Sequence, residues 1–180
     1  MSVDKNIRIP ALDIQGARER LEHVVIHTPL QYNPNLSRQY QCRVYLKRED
    51  LQIVRSYKIR GAYNMMSQLS KEQLSKGVVC ASAGNHAQGV ALAAQLLGIK
   101  SRVYMPFSAS IPKVSATKGY GAEVKFAGDT IDVAINEAKH DCEKTGSIFI
   151  SPFDHPHIVA GQGTVGLEII QQLPEVKTVL

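Results

Sequence analysis

Short apolar segments of strand type alternate along this chain with longer segments whose apolar residues recur at helical spacing. The runs Val78–Ala81 and Arg102–Met105, for example, precede the helical patterns Asn85–Leu97 and Ile111–Lys118. This alternation is typical of an α/β fold with open parallel sheets covered by helices. Because ligands bind such sheets at the carboxyl ends of the strands, we expect functional residues in the loops that lead from strand to helix.

The remaining elements are predicted from the same periodicities and from residues that start or end helices. Asp13 is the expected N-cap of a first helix that continues to Val25, and Asp129 is the expected N-cap of a helix closed by Gly146. The other expected elements are strands at Cys42–Leu46, Val124–Phe126, Ile148–Ile150 and Val176–Leu180, and helices at Lys58–Leu69 and Thr164–Leu173.

The charge and hydropathy of the chain argue against two classes of binding partner, nucleic acids and membranes. The chain has 21 Lys and Arg against 16 Asp and Glu, a net charge of +5, but no basic run exceeds two residues. This scatter favours a solvated surface over nucleic-acid binding. We expect no membrane partner, because the start lacks the apolar stretch of a secretory signal and no apolar run could span a bilayer. The three cysteines form no CxxC pair and are expected to be reduced thiols, as in the cytoplasm.

The loop after Val78–Ala81 opens the most regular helical pattern of the chain. Its residues Ser82–Gly84 are small and leave the first N–H groups of the helix uncovered. Those N–H groups, aided by the helix dipole, readily bind a carboxylate or a phosphate. The alternative is an ordinary capped helix start, in which Ser82 or Asn85 bonds its own backbone. These residues alone leave both interpretations open.

A second segment places a lysine at the start of a helical pattern. Lys58 stands between Tyr57 and Ile59, which leaves its amine partly desolvated. Desolvated amines act as nucleophiles and form Schiff bases with carbonyl compounds. Taken alone, however, such a lysine is better explained as an exposed residue of an amphipathic helix.

The two segments together resemble the motifs of a known enzyme family. In this order and spacing, Ser56–Ala62 and Ser82–Ala91 resemble the fold-type II pyridoxal-phosphate (PLP) enzymes, and most of all the threonine dehydratases, or threonine deaminases. Serine dehydratase and serine racemase are close relatives in that family. The resemblance covers nearly the whole chain and includes Lys47–Gln52, Pro112–Val114, Gly119–Val124, Gly128–Asp129 and Ala160–Thr164.

The resemblance implies a role for each matching residue. Lys58 matches the catalytic lysine that holds PLP in a Schiff base and later removes the α-proton of the substrate. Tyr57 stands where the family usually has Phe against the cofactor ring, and Asn85 matches the residue that hydrogen-bonds the ring oxygen. His86 is equally expected as a packing residue or as a substrate contact. The substrate-binding loop matches Ser82, Ala83, Gly84, Asn85 and His86.

The implied reaction is deamination of L-threonine to 2-oxobutanoate and ammonia, which serves isoleucine synthesis or threonine breakdown. Phe153 favours this reaction, because serine racemases carry Asn at its position. A serine dehydratase or racemase is the alternative within the family. The implied ligands are PLP and a small amino acid, with no metal ion, and full-length members are expected to form homo-oligomers.

The resemblance also implies a division of the chain. We expect residues 1–52 to begin a large domain, residues 53–150 to form a small domain with the lysine and the substrate loop, and residues 151–180 to return to the large domain. The family's catalytic domain is nearly twice as long and continues into a glycine-rich phosphate loop and a Ser or Cys for the pyridine nitrogen. We therefore expect a fold-type II structure truncated after the small domain. The second hypothesis is a catalytically incomplete fragment.

Overall fold

The α/β class predicted from the sequence is confirmed by the computed structural model, which describes residues 12–180. No helix in this part of the chain is long and apolar enough to cross a membrane. The strands are β1 (Leu30–Tyr32), β2 (Tyr45–Lys47), β3 (Val78–Ala81), β4 (Ser101–Met105), β5 (Glu123–Phe126) and β6 (Ile148–Phe149). The helices are α1 (Ile14–Leu21), α2 (Pro34–Tyr40), a 3-10 turn (Glu49–Leu51), α3 (Lys58–Met66), α4 (Lys71–Ser75), α5 (Asn85–Leu97), α6 (Ile111–Gly119), α7 (Ile131–Thr145) and α8 (Pro156–Gln172).

Four strands form a parallel sheet in the spatial order β5-β4-β3-β6. The chain runs outward from β3 to β4 and β5, and then crosses back to add β6 on the other side of β3. Ligands bind parallel sheets in the crevice where the strand order reverses. Here that crevice lies between the carboxyl ends of β3 and β6. The strands β1 and β2 form a separate antiparallel pair.

Successive side chains of β3 are buried on opposite faces of the sheet, as the period of two in a strand requires. Val78 and Cys80 pack in a core with side chains of α3 and α5. Val79 and Ala81 pack in a second core with side chains of α7. Burial on both faces explains why this strand is a continuous apolar run rather than an alternating pattern.

Several helix ends lie where they were predicted. Each of these ends is determined by a single capping residue. Asp13 caps α1, because its carboxylate accepts a hydrogen bond from the N–H of Gly16 at 2.9 Å. Gly98 and Gly146 end α5 and α7 with φ angles of 68° and 71°. This left-handed conformation carries little steric cost for glycine, which is why glycine commonly ends helices.

Other predicted boundaries are wrong. Thr130 rather than Asp129 caps α7, and its hydroxyl accepts a hydrogen bond from the N–H of Val133. Helix α8 begins at Pro156, two turns before the predicted start at Thr164, because proline fits the first turn of a helix. The glycines of this segment obscure its helical period in the sequence.

Two further predicted elements differ from the structure. Helix α1 ends at Leu21, before the predicted end at Val25. The segment Val176–Leu180 forms no strand within residues 12–180. A β-strand is defined by hydrogen bonds to a neighbouring strand, and none of the described strands pairs with this segment.

Helix α3 lies between α5 and α8, and glycines make both contacts close. A Cβ atom on Gly161 of α8 would lie 2.6 Å from the carbonyl oxygen of Arg60 and 2.7 Å from the Cα of Gly61. A Cβ atom on Gly89 of α5 would lie 3.0 Å from the carbonyl oxygen of Lys58. The helix that starts with the predicted catalytic lysine is therefore held on two sides by contacts to its backbone.

The contact at Gly161 gives a prediction about stability. We expect Gly161→Ala to lower the free energy of unfolding by about 1–3 kcal/mol, because the added methyl group meets backbone atoms that cannot turn aside. Gly166→Ala is the matched control on the same helix, since a Cβ atom there meets nothing within 4 Å. Replacing a glycine inside a helix by alanine should raise stability by roughly 0.5–1 kcal/mol. Urea unfolding of both variants measures the two changes in the free energy of unfolding. Equal changes in the two variants would contradict the close contact at Gly161.

Candidate active site

The loops that follow β3 and β6 meet at the crevice between these strands. His86, in the first turn of α5, donates a hydrogen bond from Nε2 to the carbonyl oxygen of Ile150 at 3.0 Å. Lys58, the first residue of α3, donates from Nζ to the carbonyl oxygen of Pro152 at 3.2 Å. The structure thus brings the predicted lysine and the predicted loop Ser82–His86 to one edge of the sheet.

The amine of Lys58 lies beside two aromatic rings. Its Nζ atom is 5.1 Å from the centre of the Tyr57 ring and 5.2 Å from the centre of the Phe153 ring. Each ring attracts a charged amine through its negative face. No carboxylate of residues 12–180 forms an ion pair with this amine. The amine is therefore held without a counter-ion, which leaves it available to a carbonyl compound.

The start of α5 leaves hydrogen-bond donors available. Gly84 is the N-cap residue, and no side chain caps the helix. The hydroxyl of Ser82 accepts the N–H of Gly84 at 3.1 Å, so the alternative of a self-bonded loop holds for one N–H group. Ala83 is half-buried and Asn85 is exposed, and the Asn85 side chain does not cap the helix. The other first-turn N–H groups keep the capacity to bind an anion.

His86 is buried, with 3% of its surface exposed. Burial lowers the pKa of His86 to about 4, and the charge of Lys58 acts in the same direction, against the hydrogen bond to Ile150. The ring is therefore neutral near pH 7. Its Nδ1 atom is also buried and has no hydrogen-bond partner within residues 12–180. His86 has the predicted packing role, because its ring joins the loops after β3 and β6. Its contact with substrate stays a prediction.

Lys113, near this loop, was not predicted to have a role. A Cβ atom on Gly84 would lie 3.4 Å from the Nζ of Lys113. Lys113 is exposed and forms no ion pair with the described residues. It lies in α6, which follows β4, and β4 pairs with β3. The sequence signal for Lys113 was its place in the first turn of α6, the helix that follows the strand next to β3.

The residues of this site fit PLP at two of its chemical features. PLP carries an aldehyde, an aromatic ring with an oxygen substituent, and a phosphate. The site offers an amine at Lys58, an aromatic face at Tyr57 and an exposed carboxamide at Asn85. The buried Nδ1 of His86 is a further acceptor without a partner in residues 12–180. The donor set therefore suits the aldehyde and the ring. Residues 12–180 contain no group of three or more His, Cys, Asp or Glu that could hold a metal ion.

Fold and site together define a class of enzyme. An unpaired lysine amine beside an aromatic ring, at the reversal point of a parallel sheet, is suited to an aldehyde cofactor. The family model described as pyridoxal-phosphate dependent enzyme matches residues 21–180. The chain belongs to this family, and the resemblance inferred from its motifs is confirmed.

Sequence identity to two curated relatives shows which members of the family the chain resembles. The chain is 51% identical over 171 residues to the biosynthetic L-threonine dehydratase of Halalkalibacterium halodurans, covering 93% of this chain and 41% of that protein. It is 49% identical over 168 residues to the L-threonine ammonia-lyase of Thermotoga maritima, covering 93% and 42%. The chain thus spans about two-fifths of the length of these curated relatives.

Solved structures share the same fold. The processed form of threonine deaminase isoform 2 from Solanum lycopersicum superposes with a TM-score of 0.83 at 43% identity, over 91% of this chain and 49% of that chain. Maize serine racemase superposes with a TM-score of 0.87 at 37% identity, over 91% and 50%. The fold-type II architecture predicted from the motifs is confirmed by these likenesses.

The buried His86 gives a prediction about acid stability. In the unfolded chain the ring is protonated below pH 6.5, whereas in the folded protein it is protonated only near pH 4. Between these values the unfolded state binds more protons, so stability falls as pH falls, by up to about 1.4 kcal/mol per pH unit. His86→Gln keeps a donor for Ile150 and should remove this part of the slope. Urea unfolding across this pH range measures it, and parallel slopes for parent and variant would contradict the assignment.

Proposed function

We propose that this chain carries the cofactor lysine and the substrate loop of a PLP-dependent enzyme that deaminates L-threonine to 2-oxobutanoate and ammonia. The observation that carries the proposal is the amine of Lys58 beside the uncapped start of α5, with both held to the loop after β6. The identities of 51% and 49% with proteins named as L-threonine dehydratase and L-threonine ammonia-lyase support threonine as the substrate.

The chemistry divides between the cofactor and the side chains. When bound, PLP supplies an electron sink for negative charge at the α-carbon of an amino acid. Lys58 holds the cofactor through its amine and, when that amine is free, accepts the α-proton at Nζ. The carbonyl oxygen of Pro152 orients Nζ, and the rings of Tyr57 and Phe153 cover part of the amine. The exposed carboxamide of Asn85 would donate a hydrogen bond to the ring oxygen of the bound cofactor.

The loop Ser82–His86 binds the carboxylate of the substrate in this proposal. Its uncapped N–H groups and the ammonium of Lys113 supply the donors and the positive charge that a carboxylate needs. Phe153 presents an exposed apolar ring beside Lys58, which suits the β-methyl group of threonine. A serine dehydratase or racemase is the second candidate, supported by the TM-score of 0.87 with maize serine racemase.

The cellular context is part of the same proposal. Relatives named biosynthetic support a role in isoleucine synthesis. The free thiols of Cys42, Cys80 and Cys142 support a cytoplasmic location. We further propose a homo-oligomer for the complete enzyme and no nucleic-acid partner. Because the chain spans 41% of its relative, the alternative is a catalytically incomplete fragment of such an enzyme.

Attachment of the cofactor at Lys58 is the first test of this function. PLP added to the purified protein, followed by borohydride, should leave a covalent adduct that mass spectrometry locates at Lys58. Lys58→Ala should carry no adduct, because the amine is gone. Lys118→Ala, an exposed lysine of α6, should keep it. The same adduct yield in Lys58→Ala as in the parent would refute cofactor attachment at this residue.

Turnover is measured separately on the same protein. Release of 2-oxobutanoate from L-threonine by the PLP-loaded chain would refute the alternative of an incomplete fragment. Adduct formation without release would support that alternative.

Lys113 gives a test of the carboxylate site. L-Threonine should displace Lys58 from the cofactor, so the adduct trapped at Lys58 should fall as threonine rises. We expect Lys113→Gln to raise the half-effective threonine concentration about fivefold to tenfold, because one charge partner of the carboxylate is lost. Lys118→Gln removes the same charge from α6 and should have little effect. The threonine amide, which has no carboxylate, should be insensitive to Lys113→Gln, and equal sensitivity of amide and acid would contradict the assignment.

A further inference from the structure

The segment Ala160–Thr164 belongs to the motifs of this chain but takes no part in the chemistry described above. It lies on α8, behind the helix that begins with Lys58. Its Gln162 accepts a hydrogen bond at Oε1 from the backbone N–H of Gly61 at 3.1 Å. Gly61 is three residues after Lys58 and lies on the same first turn of α3. Gln162 therefore contacts the turn that presents the amine.

The first turn of α3 is bonded from outside its own helix. The N-cap carbonyl of Tyr57 accepts from the N–H of Arg60 at 3.0 Å, and no side chain caps the helix. The N–H of Gly61, in the same turn, donates to Gln162 of α8. A side chain of another helix therefore holds the turn that begins with Lys58.

Close packing fixes Gln162 at this place. A Cβ atom on Gly61 would lie 2.4 Å from Nε2 of Gln162, and a Cβ atom on Gly161 would lie 2.6 Å from the carbonyl oxygen of Arg60. The Nε2 atom of Gln162 is buried and has no acceptor within residues 12–180. An unpaired buried donor costs at least as much as one hydrogen bond returns. The hydrogen bond to Gly61 and the unpaired amide group together give no net stabilisation of the fold. Stability therefore does not explain why residue 162 is a glutamine.

We infer that Gln162 is a positioning residue for Lys58: by bonding the first turn of α3, it fixes the direction in which Lys58 presents its amine. The inference rests on the proposed function of Lys58. The chain after β6 contacts this region at two points, since the carbonyl oxygen of Pro152 accepts from the Nζ of Lys58 and Gln162 accepts from Gly61 in the same turn. A reactive amine loses rate steeply when its direction changes, because the reaction needs the amine and the carbonyl carbon aligned.

The test compares substitutions of two glutamines on α8. Gln162→Met keeps the length of the side chain and removes the acceptor, whereas Gln162→Glu keeps an acceptor oxygen. Gln172→Met is the matched control, because Gln172 bonds Lys47 and the carbonyl oxygen of Thr28 rather than α3. The measured quantity is the rate constant of PLP attachment at Lys58, followed by borohydride trapping. Unfolding in urea and circular dichroism are recorded for each variant.

We expect Gln162→Met to lower the rate constant of attachment roughly tenfold, as the loss of one oriented hydrogen bond predicts. Gln162→Glu should restore the rate to within about twofold of the parent, because its carboxylate still accepts from Gly61. Gln172→Met should keep the parental rate even though it loses stability. Equal rates for the two methionine variants would show a merely structural contact and overturn the inference.

A second measurement separates this inference from the proposed function. Competitive acetylation of lysines, without PLP, reports how the amine of Lys58 is presented. Gln162→Met should change the acetylation rate of Lys58 relative to Lys118 by about threefold or more, while Gln172→Met leaves the ratio unchanged. An unchanged ratio in Gln162→Met overturns the inference whether or not PLP attaches. If the ratio changes but the parent forms no adduct at Lys58, the proposed function fails and the positioning stands.

Discussion

The buried guanidinium of Arg60 is the interaction on which the arrangement of this chain depends. Only 1% of Arg60 is exposed, and it donates to the carboxylates of Glu49 and Glu168 at 2.9 Å and 2.6 Å. Lys47 also bonds Glu168, so two cations and two carboxylates balance each other. Burial opposes the charge on Glu168, but hydrogen bonds from Arg60 and Lys47 outweigh it and hold its pKa below the usual value. Removing one member of such a group typically costs about 3–5 kcal/mol, because it leaves a buried charge unpaired.

This cluster joins parts of the chain that are far apart in sequence, and it includes a residue of the helix that begins with Lys58. Arg60 lies on the same helix as Lys58, two residues later, and its side chain points into the interior while the lysine amine lies at the crevice. Arg60 also donates a hydrogen bond to the hydroxyl of Thr164, on the helix that carries Gln162. The buried charges therefore determine where α3 sits, and the contacts of its first turn determine how the amine is presented.

The sequence predicted best those features that local pattern decides. β3 and α5 were predicted with their observed bounds, because an uninterrupted apolar run and a terminal Gly98 leave little alternative. Helices α2 and α4 were missed, since each is short and has few apolar residues. The predicted strand Val176–Leu180 failed for a different reason, because a strand needs a neighbour that local sequence does not reveal. Lys58 and the loop were predicted from motifs, whereas Lys113 and Gln162 come close to the site only through contacts between segments distant in sequence.

The site is assembled by hydrogen bonds to backbone atoms, whereas the side chain of Phe153 faces outward beside the amine of Lys58. His86 and Lys58 are bound by the backbone carbonyls of Ile150 and Pro152, and any amino acid supplies a carbonyl at those positions. The side chain of Phe153 takes no part in those bonds and is 72% exposed beside the amine. Under the proposed function, a substitution at Phe153 would therefore change the surface offered to a substrate while the two backbone hydrogen bonds remain. Under the same proposal, the fold holds the lysine and the loop in place through backbone atoms, and the side chain at position 153 contributes to the choice of substrate.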